Sequence, residues 1–207
     1  IVYADVAGAQ TGWEDAFNQR PVVPNDVIGM ATIASVYRSY IPYNGRPDTT
    51  TNDTTGIDIT IVIRDTMNIL DLTPVNSPYV IVGKRHNQLM TNLINGNYNS
   101  TGKSPYQIFQ DFIQAYEQLH APLTNSYKQA ALSRALYARE SVLNNNIKAA
   151  NETYKTNVAQ MTLSNMRSYT IEYLQIVDAS SLNVNDKNQI SLFAAVAYYS
   201  SALWIVQ

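Results

Sequence analysis

SPYVIVGKRHNQLM, Ser77 to Met90, is the stretch on which the fold turns. Its first half is apolar and largely β-branched: Tyr79, Val80, Ile81 and Val82. From Lys84 onward the period changes, and Leu89, Met90, Leu93 and Ile94 recur at threes and fours. The first pattern favours an extended segment and the second a helix. The stretch therefore predicts a short strand over 79–82 and a short helix after Lys84, closed by Asn95-Gly96. His86, one of two histidines in the chain, falls in the first turn of that predicted helix.

Upstream, IDITIVIRD places Ile57, Ile59, Ile61 and Ile63 in strict alternation with Asp58, Thr60, Val62 and Arg64. That is the period of a strand. TMNILDL, 66–72, offers a second extended piece, with Pro74 and Pro78 between it and 79–82. Residues 42–56, PYNGRPDTTTNDTTG, are polar and broken by proline and glycine, and so predict a loop.

The rest of the pattern is helical. Tyr3 to Phe17 carries Ala4, Gly8 and Gly12 at helical spacing, which suits close approach of a second helix. Each glycine costs such a helix about 1 kcal/mol relative to alanine. Val27 to Ile41 predicts a partner helix, joined to the first through the Pro21–Pro24 break. Ser104-Pro105 is a helix start, and Ile108, Phe109, Phe112, Ile113, Tyr116 and Leu119 form an apolar stripe. A long helical pattern runs from about Asn125 to Lys155 and resumes through Met166 to Val177. The last, from about Asp186 to Ile205, is apolar on nearly every face and belongs at the centre of a bundle. The expected fold is α+β, mainly helical, with a helical bundle in the C-terminal half and a strand-bearing element around 57–82. The expected organisation is one domain over 1–207, with a sub-boundary at the 96–104 loop.

Composition narrows function by exclusion. The chain has 207 residues, 14 % charged, with 15 tyrosines against four phenylalanines and a net charge of −2. No cluster of basic residues exceeds Lys84-Arg85, so no nucleic-acid partner is expected. There is no cysteine, which excludes disulfides and thiolate chemistry. Ile190 to Val206 is too short and too interrupted by Ser and Tyr to predict a membrane span. The chain opens on Ile1 with no signal-like segment, as after removal of a leader or trimming of the chain.

Few residues suggest chemistry. His86 follows an apolar run at a glycine, a place where a loop histidine is exposed enough to act as acid or base. A base needs an orienting partner, and the nearest acids in sequence are Asp71 and Asp111. His120 sits at the end of its helix with Glu117 one turn back, which suggests a C-terminal capping arrangement. Asp48, Asn52 and Asp53 supply oxygen ligands for a calcium ion but lack the alternating spacing of a calcium loop. Paired carboxylates, HExxH, GxSxG and phosphate-loop patterns give no site, and no cofactor is expected. Three sequons, at Asn52, Asn99 and Asn151, are candidate glycan acceptors.

Two segments carry a resemblance. ADVAGAQTGW, Ala4 to Trp13, is similar to an AD-x-x-GA segment, and VGKRHNQLM, Val82 to Met90, to a VG-x-x-HN-x-x-L segment. Both resemble segments of small, uncharacterised exported proteins of Bacteroidetes-type bacteria. The resemblance implies an exported, extracellular or envelope protein, carries over no activity, and places Gly83, His86 and Asn87 in a recurring motif.

The expected function is therefore that of a non-enzymatic structural or interaction protein with protein partners or self-association, such as a filament or virion subunit. Tyr- and Asn-rich, weakly charged surfaces suit adaptable contacts. The alternatives are a hydrolase centred on His86, and a carbohydrate- or peptide-binding module that uses Tyr37, Tyr40 and Tyr43.

Overall fold

The computed structural model describes residues 2–18, 22–44, 77–129 and 143–204, without the side chains of 41–44. Among the described residues every element is helical and none is a strand. The helices are α1 (Val2–Phe17), α2 (Pro24–Asn44), α3 (Pro78–Asn95), α4 (Pro105–Leu119), α5 (Asn145–Val158), α6 (Leu163–Ala179) and α7 (Val184–Trp204). Residues 125–129 are helical as well.

The α+β expectation is corrected at Tyr79–Val82. This β-branched run is the first turn of α3, which starts at Pro78. Proline is suited to that first position, where its missing N–H costs nothing. Val80 and Val82 are both fully buried. A run enclosed on several sides has no polar positions to reveal its period, so β-branched residues there are compatible with either structure. The predicted strands over 57–64 and 66–72 lie outside the described residues.

α7 is central: α1, α3, α5 and α6 all pack on it. α2 closes over α1 and α3, and α4 covers α2 and α3. One core cluster runs from Val6 to Leu203 and includes Val80, Phe112, Tyr154 and Tyr198. It draws residues from both sides of the 96–104 loop. A satellite cluster of Ile147, Val177 and Ile190 joins α5, α6 and α7.

α1 and α2 form an antiparallel hairpin whose backbones meet at the two glycines. A methyl group on Gly8 would lie 2.4 Å from the Ala34 carbonyl oxygen, and one on Gly12 2.4 Å from that of Met30. Glycine is required here for contact, not for its dihedral freedom.

The helix ends explain other boundaries. Ser104 caps α4 in a complete capping box with Gln107, as Ser104-Pro105 predicts. α3 ends at Asn95, but Gly96 is not left-handed (φ −77°); Asn97 takes that conformation, with φ 50°. The Asn125–Lys155 pattern is not one helix, because α5 starts at Asn145 with Asn144 as its cap.

Candidate functional site

His86 does not open a helix. It lies in the middle of α3 and is fully buried, on the same face as Val82, Leu89, Met90 and Leu93. Two other helices bring polar residues to its ring, and a third binds the first of these; all are far from His86 in sequence.

α1 brings Asp5, also 0 % exposed. Its Oδ2 lies 3.4 Å from His86 Nε2. α2 brings Ser35, whose Oγ is 2.9 Å from His86 Nδ1 and 2.8 Å from the backbone oxygen of Asp5. α7 brings Ser200 and Trp204. The Ser200 hydroxyl donates to Asp5 Oδ2, and Trp204 Nε1–H donates to the same oxygen at 3.1 Å. Beside the ring, Asn87 Nδ2 donates to the Tyr199 carbonyl at 2.9 Å. A turn and more along α1, Gln10 and Gln189 exchange side-chain to backbone bonds with α7, at 3.1 and 3.4 Å.

Burial lowers the pKa of His86, and the Asp5 carboxylate opposes that shift without overcoming it. The Ser35 hydroxyl has a single proton and gives it to the Asp5 carbonyl, so its oxygen is left to accept from His86 Nδ1–H. Asp5 Oδ2 accepts from Ser200 and Trp204 and faces His86 Nε2. The match is not complete. At 3.4 Å the Nε2 contact is too long for a good hydrogen bond, and Asp5 Oδ1 has no partner.

An acid, an imidazole and a hydroxyl are thus brought together, and the expectation that His86 lacks a carboxylate partner is corrected. The chemistry open to them is limited by enclosure. Ser35 sits inside a helix, is 0 % exposed, and lies on Nδ1 while the carboxylate lies on Nε2. A nucleophile has to meet substrate, and here no substrate atom fits without parting the helices. A hollow of about 540 Å³ lies nearby, lined by Val2, Tyr3, Met161, Leu163, Met166 and Ser201, and His86 is not in its wall.

The two segments quoted for their resemblance meet at this cluster. Asp5 and Gly8 come from the first: Asp5 binds the cluster and Gly8 admits α2. Gly83, His86 and Asn87 come from the second. Gly83 lies against the Tyr199 ring, where an added methyl would be 2.4 Å from Cδ2.

The other sequence candidates are placed differently. Tyr37 is half-buried, edge-on to Phe109 at 5.3 Å, and Tyr40 is buried with its hydroxyl on the Tyr98 carbonyl at 3.0 Å. These two form no exposed aromatic platform, because their rings fill the gap between α2 and α4. The side chain of Tyr43 lies outside what is described. Asp48, Asn52 and Asp53 lie outside the described residues, so the calcium expectation and one sequon have no structural counterpart. Among the described residues no group of three His, Asp or Glu could hold a metal ion.

Asn99 is exposed and its Oδ1 accepts from Thr101 N at 2.8 Å. Asn151 is buried on α5 with its Oδ1 unpartnered, so a glycan on its amide would require that helix to lift from the core. His120 is not paired with Glu117. Glu117 accepts from Leu123 N at 2.9 Å and pairs with Lys128 at 3.0 Å. The His120 ring stacks on Tyr116 at 4.9 Å, and burial together with nearby Arg85 lowers its pKa to about 4. Neutral at physiological pH, it adds no charge to the helix terminus.

No helix among the described residues is long and apolar enough to cross a membrane. Compared with known proteins, the chain matches no family, no curated protein and no solved structure.

Proposed function

We propose that this protein is a non-enzymatic structural or interaction protein, exported or surface-associated, that acts as a subunit of a larger assembly such as a filament or virion. One observation carries the reading: the residue best suited to chemistry is sealed. His86 and its neighbours Asp5 and Ser35 are each 0 % exposed, and they tie α1, α2 and α3 to one another and to α7. Buried polar groups with specific partners fix which helix faces meet, a role well attested in helical assemblies. The surface supports the same reading. With 14 % charged residues, its polarity comes chiefly from uncharged side chains suited to protein contacts.

The test is self-association. Size-exclusion with light scattering across a concentration series should show a species larger than one chain. Isolation from the native cells should recover the chain in an extracellular or envelope fraction, bound to like or unlike subunits. A strict monomer at the highest soluble concentration, recovered without partners, removes the proposal.

The presence of a hydroxyl and a carboxylate on the two ring nitrogens favours one rival, a hydrolase. A serine-directed fluorophosphonate probe separates the two. The sealed site predicts no labelling of Ser35 in the folded protein; labelling that is lost in His86→Ala would establish the hydrolase instead.

A further inference from the structure

We propose that the hollow enclosed by α1, α5, α6 and α7 is a binding site for an alkyl carboxylate, a ligand of the fatty-acid class. The inference goes beyond the assembly role and does not depend on it.

Volume and walls suit an apolar chain. The hollow measures about 540 Å³, within the range of small-molecule sites. Val2, Val158, Met161, Leu163 and Met166 line it. Methionine is unbranched and polarizable, so the two thioethers adapt to the shape of an alkyl chain.

The polar groups define the head. Ser201 is 5 % exposed and lines the hollow, and its hydroxyl has no hydrogen-bond partner among the described residues. A buried hydroxyl left unpaired is costly, and a ligand oxygen relieves that cost. α6 starts on the same wall, at Thr162 and Leu163. The Thr162 side chain accepts from Asn165 N at 3.3 Å, and the Thr162 carbonyl accepts from Met166 N at 2.9 Å. The N–H groups of Leu163 and Ser164 have no partner among the described residues. A helix start with free N–H groups favours an anion. Lys155 stands beside the hollow, with Nζ 4.6 Å from the centre of the Tyr3 ring, and Tyr3 is part of the wall. Its pairing with Glu152 is exposed and long, at 3.5 Å, and holds the ammonium only weakly. At the end of α5 the Val158 carbonyl is already taken by Met161 N, at 3.0 Å. No Asp or Glu among the described residues lines the hollow. Donors and a cation select a carboxylate over an amine, and the apolar walls select an alkyl chain over a sugar.

NMR of isotope-labelled methionine methyls in the whole chain reads occupancy, with sodium dodecanoate as the probe, kept below micelle formation. Met161 and Met166 should shift with saturation, while Met30 and Met90, buried in the core and not part of the wall, stay in place. Dodecanol should bind about tenfold more weakly, because hydrogen bonds to a charged group are the stronger ones, and dodecyltrimethylammonium should not bind. Ser201→Ala should weaken dodecanoate by up to about tenfold. Val2→Trp fills the hollow and should abolish binding. Should Val2→Trp fail to fold, Lys155→Gln takes its place, and should weaken dodecanoate severalfold while leaving dodecanol unchanged. Shifts that do not saturate, that reach Met30 and Met90 equally, that dodecanol matches at the same concentration, or that are unaltered in these variants overturn the site.

Discussion

Replacing Gly12 by alanine tests the close crossing of α1 and α2. Helix propensity alone predicts a gain of about 1 kcal/mol, because alanine restricts the unfolded chain. The tertiary structure predicts the opposite sign. The added methyl would lie 2.4 Å from the Met30 carbonyl oxygen, 2.8 Å from its carbon and 2.9 Å from Ala31 Cα. All three are backbone atoms, so no rotamer change relieves them. Ordinary contact begins at 3.4 Å, and the helices must therefore part by about 1 Å. A gap of that size forfeits about a quarter to a half of each dispersion contact it opens. The two helices contribute Val6, Ala9, Trp13, Val27, Met30 and Ala31 to the core, all buried. Overpacking costs about 1–3 kcal/mol, and a clash with backbone belongs at or above the upper end. After the propensity gain the net loss is about 2 kcal/mol, or roughly 4–8 °C in Tm for a chain of this size. Gly8→Ala should behave alike. Because one separation of the helices relieves both clashes, the double variant should lose less than the sum of the singles, by about 1 kcal/mol. Urea denaturation followed by circular dichroism measures all four proteins. A single variant more stable than wild type, or strictly additive losses, would refute the reasoning.

Four further outcomes follow from named contacts. Ser104→Ala removes the capping box of α4 and should cost about 1 kcal/mol, read as a lower urea midpoint and faster amide exchange at the start of α4. Gly83→Ala drives a methyl into the fully buried Tyr199 ring and should lower stability by about 1–3 kcal/mol in the same assay. Tyr154→Phe strips a buried hydroxyl from Thr170 Oγ1 at 2.5 Å and the Ala194 carbonyl at 3.2 Å. A loss of about 1–2 kcal/mol is expected, and a gain would show those bonds to be dispensable. His120, with its pKa lowered to about 4, adds stability that is present above its ordinary value near 6.5 and declines as pH falls toward 4. His120→Gln should reduce the pH dependence of the unfolding midpoint across that window, and an unchanged profile would contradict the burial of the ring.

Local rules made part of this protein legible in its sequence. The Ser104-Pro105 start, the small-residue face of Gly8 and Gly12, and the central place of the last helix each depend on neighbours within a turn or two. Residues 79–82 were misleading because β-branching signals a strand only when some positions stay polar, and Val80 and Val82 are both enclosed. The signal for the central cluster was present but ambiguous. Asp5 falls in register with Gly8 and Gly12, and His86 with Val82, Gly83 and Leu89, so each polar residue stands on a core-facing stripe. Helical spacing shows that such a residue faces inward; it does not show what it meets. Asp5 is far from His86 along the chain, and Ser200 is 195 residues from Asp5. Contacts of that range are fixed by which helix faces pack together. The sequence by itself determined the helix that starts at Pro105, the last helix, the hairpin at the start and the scarcity of reactive groups. Only the tertiary structure decided that His86 has a carboxylate partner and that the pair is shut away from water, because burial and pairing belong to the assembled core and not to any one helix.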